Sequence, residues 1–199
     1  MNGDRLDKQM GFLLEIDKLK LVVRQNYLAD GSRREDVAEH SWHLAMFVII
    51  LAEYFPGVNF LRAVKMALLH DLVEVYAGDT FAYDPEAQGD KEQRERAAAE
   101  RIFGLLPADQ AAEIMALWAE FEEGRSLEAI CASVVDRMQP LALNSAAEGK
   151  MWRSCGVSVD MVRERNRLVF EHGPEVLADH VRRMIREAQA RGCFPESGE

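Results

Sequence analysis

A chain of 199 residues, nearly half of them apolar (48%), is long enough to bury one sizeable core and too hydrophobic to stay disordered. Its formal net charge of -10 argues against a sequence-independent nucleic-acid binder, which wants a basic face, but leaves room for a buried cationic pocket that takes one small anion. Three widely spaced cysteines, Cys131, Cys155 and Cys193, fit neither a disulfide framework nor a zinc ribbon and read as reduced thiols of a cytoplasmic protein.

The start, Met1 to Arg5, is polar and lacks the apolar stretch of a secretory signal. From about Leu6 to Gln25 the residues Leu6, Met10, Leu13, Leu14 and Leu21 keep a helical period, and the Asp30-Gly31 turn signal ends that first expected helix. Arg24 lies near its end, with Arg33 and Arg34 expected to be solvated in the loop beyond. A second helix, about Val37 to Phe55, stops at Pro56-Gly57. Its run from Leu44 to Ala52 is far shorter than the roughly 20 residues of a membrane span. Being apolar all round, it predicts a buried, central helix. His40 shares a wheel face with Leu44, Phe47 and Leu51 and should point inward. His43, three residues on, is in reach of the same metal, and local spacing does not choose between the two.

The third expected helix, about Phe60 to Tyr76, carries the adjacent pair His70-Asp71 and ends at Gly78-Asp79. On a helical wheel Asp71 falls among Leu61, Val64, Leu68 and Leu72, a stripe that should face the core, with Glu74 angularly between Asp71 and His70. A carboxylate there is costly unless neutralised, and a divalent cation shared with an imidazole would neutralise it. The plainer alternative is a surface or capping His-Asp pair, and for Asp79 an ordinary turn aspartate. Phe81 to Asp90, rich in Pro, Gly, Asp and Gln, predicts a loop able to cover such a site. Lys91, Arg94 and Arg96 open a charged helix to about Leu106, most of whose charges should be solvated.

Pro107 is placed to open the next helix, whose apolar face is Ile114, Leu117, Trp118 and Phe121, with Trp118 as core. Gly124 ends it and Ser126 can cap another, about Leu127 to Leu143. That helix is apolar on most of its circumference, so its Asp136 should be buried too. Two last helices, about Ser158 to His172 and Pro174 to Ala190, close the chain. Their Val176, Leu177, Val181 and Met184 either pack on the core or form a self-complementary interface. With no strand-period alternation, repeat or linker, the expectation is an all-α fold in a single domain over residues 1–199, with its core motifs within about 24–140 and C-terminal helices within about 158–190. Inward ionisable groups on three helices imply one shared site.

His40, then His70-Asp71, then Asp136 resembles the H…HD…D signature of the HD-domain metal-dependent phosphohydrolases. More closely, Val37-Ala38-Glu39-His40-Ser41, His70-Asp71-Leu72-Val73-Glu74, Gly78-Asp79, Leu105-Leu106-Pro107 and Asp136-Arg137-Met138-Gln139-Pro140 resemble the HD-domain 5′-deoxynucleotidase group. The resemblance implies a helical bundle with a buried divalent metal site whose ligands are His40, His70, Asp71 and Asp136, leaving His43 to packing. It also implies Glu74 and Asp79 as catalytic carboxylates and Arg24 as the residue receiving the substrate phosphate, and it makes a homodimer an expected assembly. At Gln25 this chain departs from the group, whose tryptophan there helps reject the ribose 2′-hydroxyl. Preference for deoxyribose should therefore be weak, unless Trp42 or Tyr27 fills that space.

The activity expected is metal-dependent release of phosphate from nucleoside 5′-monophosphates in the cytoplasm, without nucleic-acid or membrane partners. Mixed nitrogen and oxygen ligands permit Mn, Co, Fe, Zn, Ni or Mg, the imidazoles making a Mg-only site less natural. Alternatives are hydrolysis of nucleoside triphosphates or cyclic phosphodiesters, or a non-catalytic metal-binding or ligand-sensing module. A di-iron oxygenase would want a second histidine cluster, and His172 and His180 have no evident acidic partner motif.

Overall fold

In the computed structural model, which describes residues 2–195, helix α1 (Asn2–Ile16) ends short of the expected Gln25. A 3-10 turn, Asp17–Leu21, follows, and the chain then extends as β1 (Val23–Tyr27). Asp30-Gly31 is the turn of a hairpin rather than a helix end: Leu28 N–H donates to the Arg33 carbonyl at 2.9 Å, and Gly31 takes φ +68°. β2 (Arg34–Asp36) pairs antiparallel with β1, Tyr27 opposite Arg34 and Val23 opposite Asp36, with an irregularity between. The expectation of helices alone thus needs one small correction, and it sets Arg24 and Gln25 on a strand. The apolar period of α1 also misleads. Leu6, Met10, Leu13, Leu14 and Leu21 are exposed, and Phe12 and Leu19 are the buried residues.

The Asp36 side chain starts α2 (Val37–Leu51) by accepting from Glu39 N–H at 2.9 Å, while the Glu39 carboxylate accepts from Asp36 N–H at 3.0 Å. That capping box sets the register of His40 at the start of the second turn. Leu44, Ala45 and Val48 are buried, whereas Trp42, Met46, Ile49 and Ile50 face outward, so α2 is central on one side only. Asn59 caps α3 (Phe60–Leu69), after which His70–Val73 tightens into a 3-10 turn and Glu74–Ala77 forms the short α4. The expected Asp71 stripe holds in part: Leu61 and Leu68 of α3 are exposed and Ala63, Met66 and Ala67 are its buried face, while beyond the change of pitch Leu72 is buried and Asp71 is nearly so. Gly78, at φ 75° and ψ 156°, then turns the chain in a region that only glycine adopts readily.

Helices α5 (Lys91–Phe103), α6 (Ala108–Glu123) and α7 (Leu127–Ala146) follow. Left-handed Gly124 closes α6, and Ser126 Oγ accepts from Ala129 N–H at 3.2 Å to open α7, as expected. Pro140 lies inside α7 and has no N–H to offer the Asp136 carbonyl, which opens the helix next to an expected ligand. A short α8 (Lys150–Ser154) was not expected. The predicted helix from Ser158 to His172 is two, α9 (Val159–Arg165) and α10 (Arg167–His172), broken at buried Asn166, whose side-chain amide donates to the Val162 carbonyl at 2.8 Å. α11 (Glu175–Ala190) spends Leu177, Val181 and Ile185 on the core, so these residues are not available for an interface, although Val176 stays exposed.

Two cores result. The larger joins α2, α3 and α7 to the C-terminal helices through Leu44, Val48, Ala67, Val135, Trp152 and Val181. The second joins Phe12 and Leu19 to the 3-10 turn at Leu72 and Val73, to Ile102 and Phe103 of α5, and to Trp118. Among the described residues no helix is long and apolar enough to cross a membrane.

Candidate metal centre

Three elements bring the expected ligands together: α2 carries His40, the 3-10 turn carries His70 and Asp71, and α7 carries Asp136. His40, His70 and Asp71 each offer an atom within 4.8 Å of the others. Asp136 Oδ1 lies 3.2 Å from His40 Nε2 and 3.8 Å from His70 Nε2. Asp71 reaches both rings, Oδ1 to His70 Nε2 at 3.1 Å and Oδ2 to His40 Nε2 at 3.6 Å. All four side chains are buried or nearly so.

The opposite face of each ring is engaged. His40 Nδ1 meets Gln139 Oε1 at 3.0 Å, and His70 Nδ1 meets the Ala67 carbonyl at 3.0 Å. Both acceptors want an N–H, so each Nδ1 donates away from the cluster and each Nε2 is turned toward the carboxylates, the nitrogen a cation would take. Gln139 is held in turn: its Nε2 donates to Glu35 Oε2 at 3.1 Å and lies 3.2 Å from His43 Nδ1. His43 therefore belongs to this supporting layer, edge-on to Phe47, and not to the converging set. Two imidazole nitrogens and two carboxylates, aimed inward by such a layer, are a donor set that fits a divalent transition ion. Burial opposes protonation of His70, but Asp71 and Asp136 outweigh it and raise its pKa to about 10. A cation binding here displaces that proton. Burial would raise Asp71 and Asp136, yet the neighbouring imidazoles hold both carboxylates low.

Arg24 projects from β1 into the same charge cluster. Its Nε is 3.3 Å from Glu35 Oε1, and its Nη1 is 3.2 Å from Asp71 Oδ2 and 3.6 Å from Asp79 Oδ1. Burial pulls its pKa down, and Asp71, Asp79, Glu35 and Glu74 more than offset this. Glu74 is 5% exposed, and its Oε2 lacks a hydrogen-bond partner; burial, then Asp71 and Asp79, push its pKa well up. Asp79 is raised as well, burial outweighing Arg24.

A cavity of about 370 Å³ opens over the cluster, and Arg24, Gln25, Asp71, Glu74, Asp79 and Asp136 all line it. The stretch after Gly78 does cover the site: Phe81 and Tyr83 form part of the lining, with ring centroids 5.5 Å apart. Arg94, expected to be solvated, ties that stretch down by donating to the Ala77 carbonyl at 2.8 Å, to Thr80 Oγ1 at 3.1 Å and to the Ala87 carbonyl at 3.2 Å. Sequence reasoning assigned no role to Glu35, Gln139 or Arg137, although Arg137 and Gln139 lie inside a quoted motif. Arg165 and Glu95, which also line the cavity, carried no local signal at all.

The sequence profile of the HD domain family matches residues 16–177. A crystal structure titled as a predicted metal-dependent phosphohydrolase, from Magnetospirillum magnetotacticum MS-1, is 46% identical, with a TM-score of 0.92 and 98% of each chain covered. Two proteins named 5′-deoxynucleotidase HDDC2 are each 30% identical. The match to the Homo sapiens protein covers 69% of this chain and 67% of that one, and the match to the Danio rerio protein covers 67% and 66%.

Glu95, 5% exposed on α5, has Lys91 Nζ at 3.5 Å; burial raises its pKa from 4.5 to about 7, Lys91 notwithstanding. Folding therefore favours the neutral carboxyl. Its contribution is fully present below pH 4.5 and is lost as pH rises through about 7. Glu95→Gln, neutral at every pH, is expected to gain stability over the parent between pH 5 and pH 8. Urea midpoints at the two pH values read this, and a difference that does not change with pH would reject it.

Proposed function

Because the chain belongs to the HD domain family, we propose that it is a divalent-metal-dependent phosphohydrolase releasing phosphate from nucleoside 5′-monophosphates. The observation that carries this reading is the convergence of two Nε2 atoms and two buried carboxylates beneath a cavity that also holds Arg24, Glu74 and Asp79. His40, His70, Asp71 and Asp136 are the proposed metal ligands, with Mn, Co, Fe, Zn, Ni or Mg as candidates. When bound, the ion lowers the pKa of water and polarises a phosphoryl oxygen.

The chain's own groups supply the rest. Arg24, oriented by Glu35 through its Nε, lines the cavity with Nη1 beside Asp71 and Asp79, where it is placed to offset charge on the phosphoryl group. Glu74 and Asp79 are the proposed proton carriers: one takes a proton as water attacks phosphorus, and one returns a proton to the departing 5′ oxygen as its bond to phosphorus breaks. Burial has already brought both carboxyls above the ordinary range, as such exchange near neutral pH requires. The named activity of the HDDC2 proteins supports a nucleoside monophosphate over a triphosphate or cyclic diester. A metal-binding or sensing module would not need two catalytic carboxylates.

His70→Ala and Asp136→Ala are each expected to lose bound metal while the fold largely survives. Glu74→Ala should keep metal and lose at least 100-fold in turnover. Metal analysis showing full occupancy in either ligand variant would sink the shared site.

For sugar preference the cavity narrows the choice. Trp42 is 65% exposed and Tyr27 lies beneath Lys150 at 4.2 Å, and neither lines the cavity, whereas Gln25 does. A polar amide there rejects a 2′-hydroxyl weakly, so kcat/KM for AMP and dAMP is expected to agree within roughly tenfold. A hundredfold preference for dAMP would show that another group, such as Phe81 or Tyr83, does the screening.

We further propose a cytoplasmic homodimer. The apolar area for it would come from Trp42, Met46, Ile49 and Ile50 on α2 and Leu61 and Leu68 on α3, not from α11. Light scattering at micromolar concentration should give twice the chain mass, and Ile50→Glu should halve it; a monomeric parent would count against the dimer.

A further inference from the structure

The arginines around α9 divide by where they point. Arg163 and Arg167 are exposed, and each pairs with an acidic residue of its own helical surface: Arg163 with Asp160 at 2.8 Å, Arg167 with Glu164 at 3.1 Å. Arg165 between them turns inward and lines the cavity with Arg24, Asp71 and Asp136. Among the described residues no hydrogen bond or ion pair satisfies its guanidinium. The other inward arginines differ: Arg24 has Glu35, Asp71 and Asp79 around it, and Arg137 is bonded to Asp136.

The setting of Arg165 is costly for a cation. Burial and the like charge of Arg137, with a smaller contribution from Arg24, lower its pKa to about 10. Asp136 is the acidic group that acts on it, but it already serves His40, His70 and Arg137. A guanidinium with no acceptor in a part-buried site costs stability unless an anion arrives from outside. Its position is not accidental slack, because the α9–α10 break beside it is pinned by buried Val162 and by the Asn166 bond to the Val162 carbonyl.

We propose that Arg165 is a phosphate-binding residue of the cavity, a second guanidinium that the C-terminal helices bring to the scissile phosphoryl group held near the metal ligands. Its planar fork suits two oxygens of a phosphate, and such a contact is strong because both partners are charged. The inference deepens the nucleotidase reading and rests on it only for which phosphate ester arrives.

The test uses the full chain loaded with Mn and inorganic phosphate as the probe. Arg165→Met should weaken phosphate binding by tenfold or more in titration calorimetry, and Arg165→Lys should recover part of the loss. The Met variant should melt no lower than the parent without phosphate, and should lose the upward shift that phosphate gives the parent. KM for dAMP should rise by a similar factor, with kcat changed less than threefold. Phosphate affinity within twofold of the parent, in a variant of normal circular dichroism and metal content, would overturn the proposal. If the Met variant does not fold, Arg165→Gln carries the same measurement with the same threshold. A parent that binds phosphate through Arg165 yet cleaves no nucleoside monophosphate would refute the nucleotidase reading and leave the subsite standing.

Discussion

Buried negative charge is the constraint on which this structure depends. Glu35, Asp71, Glu74, Asp79 and Asp136 crowd one site, drawn from three separate stretches of chain. In a low-dielectric interior such a group is tolerated only with compensating cations. The protein supplies some through Arg24, Arg137 and His70, and the donor set turned inward fits one divalent cation. Helices α2 and α7 and the 3-10 turn are positioned by the larger and second cores, so the charge cluster forms where these two apolar assemblies meet.

Orientation within the cluster comes from neutral groups. The Ala67 carbonyl and Gln139 amide each hold an imidazole by its Nδ1, and Gln139 is itself fixed by Glu35. Glu35 also holds Arg24, which couples the supporting layer of the histidines to the arginine of the cavity wall through one carboxylate. The hairpin that carries Glu35 and Arg24 on its two strands is thus more than a connection. Its pairing sets the separation of the two groups before either meets the helices.

The walls of the cavity come from segments far apart in sequence. The stretch following Gly78 is fastened by Arg94 and contributes Phe81 and Tyr83, and α9 contributes Arg165. Walls built on such peripheral segments can vary without disturbing the converging histidines and carboxylates, which are anchored in the cores.

Local order in the chain was enough to find the residues that converge, because an inward ionisable residue within an apolar helical run stands out against its neighbours: His40, His70-Asp71 and Asp136 all show that contrast. Turn chemistry was equally legible at Gly124 and Ser126, where φ preference and capping are properties of one or two residues. What sequence reading missed depends on partners distant along the chain. The strand at Arg24 exists because β2 pairs with it, and the leucines of α1 and the outer α2 face show that apolar periodicity marks a sticky face without saying whether this chain covers it. The expected Asp71 stripe held only at Asp71 and Leu72, in the 3-10 turn, and not at Leu61 and Leu68 of α3, since a change of pitch between them cannot be read from composition alone. Arg165 lay within an ordinary charged helix. Only tertiary packing turned that arginine toward the cavity, where no ion pair engages it among the described residues.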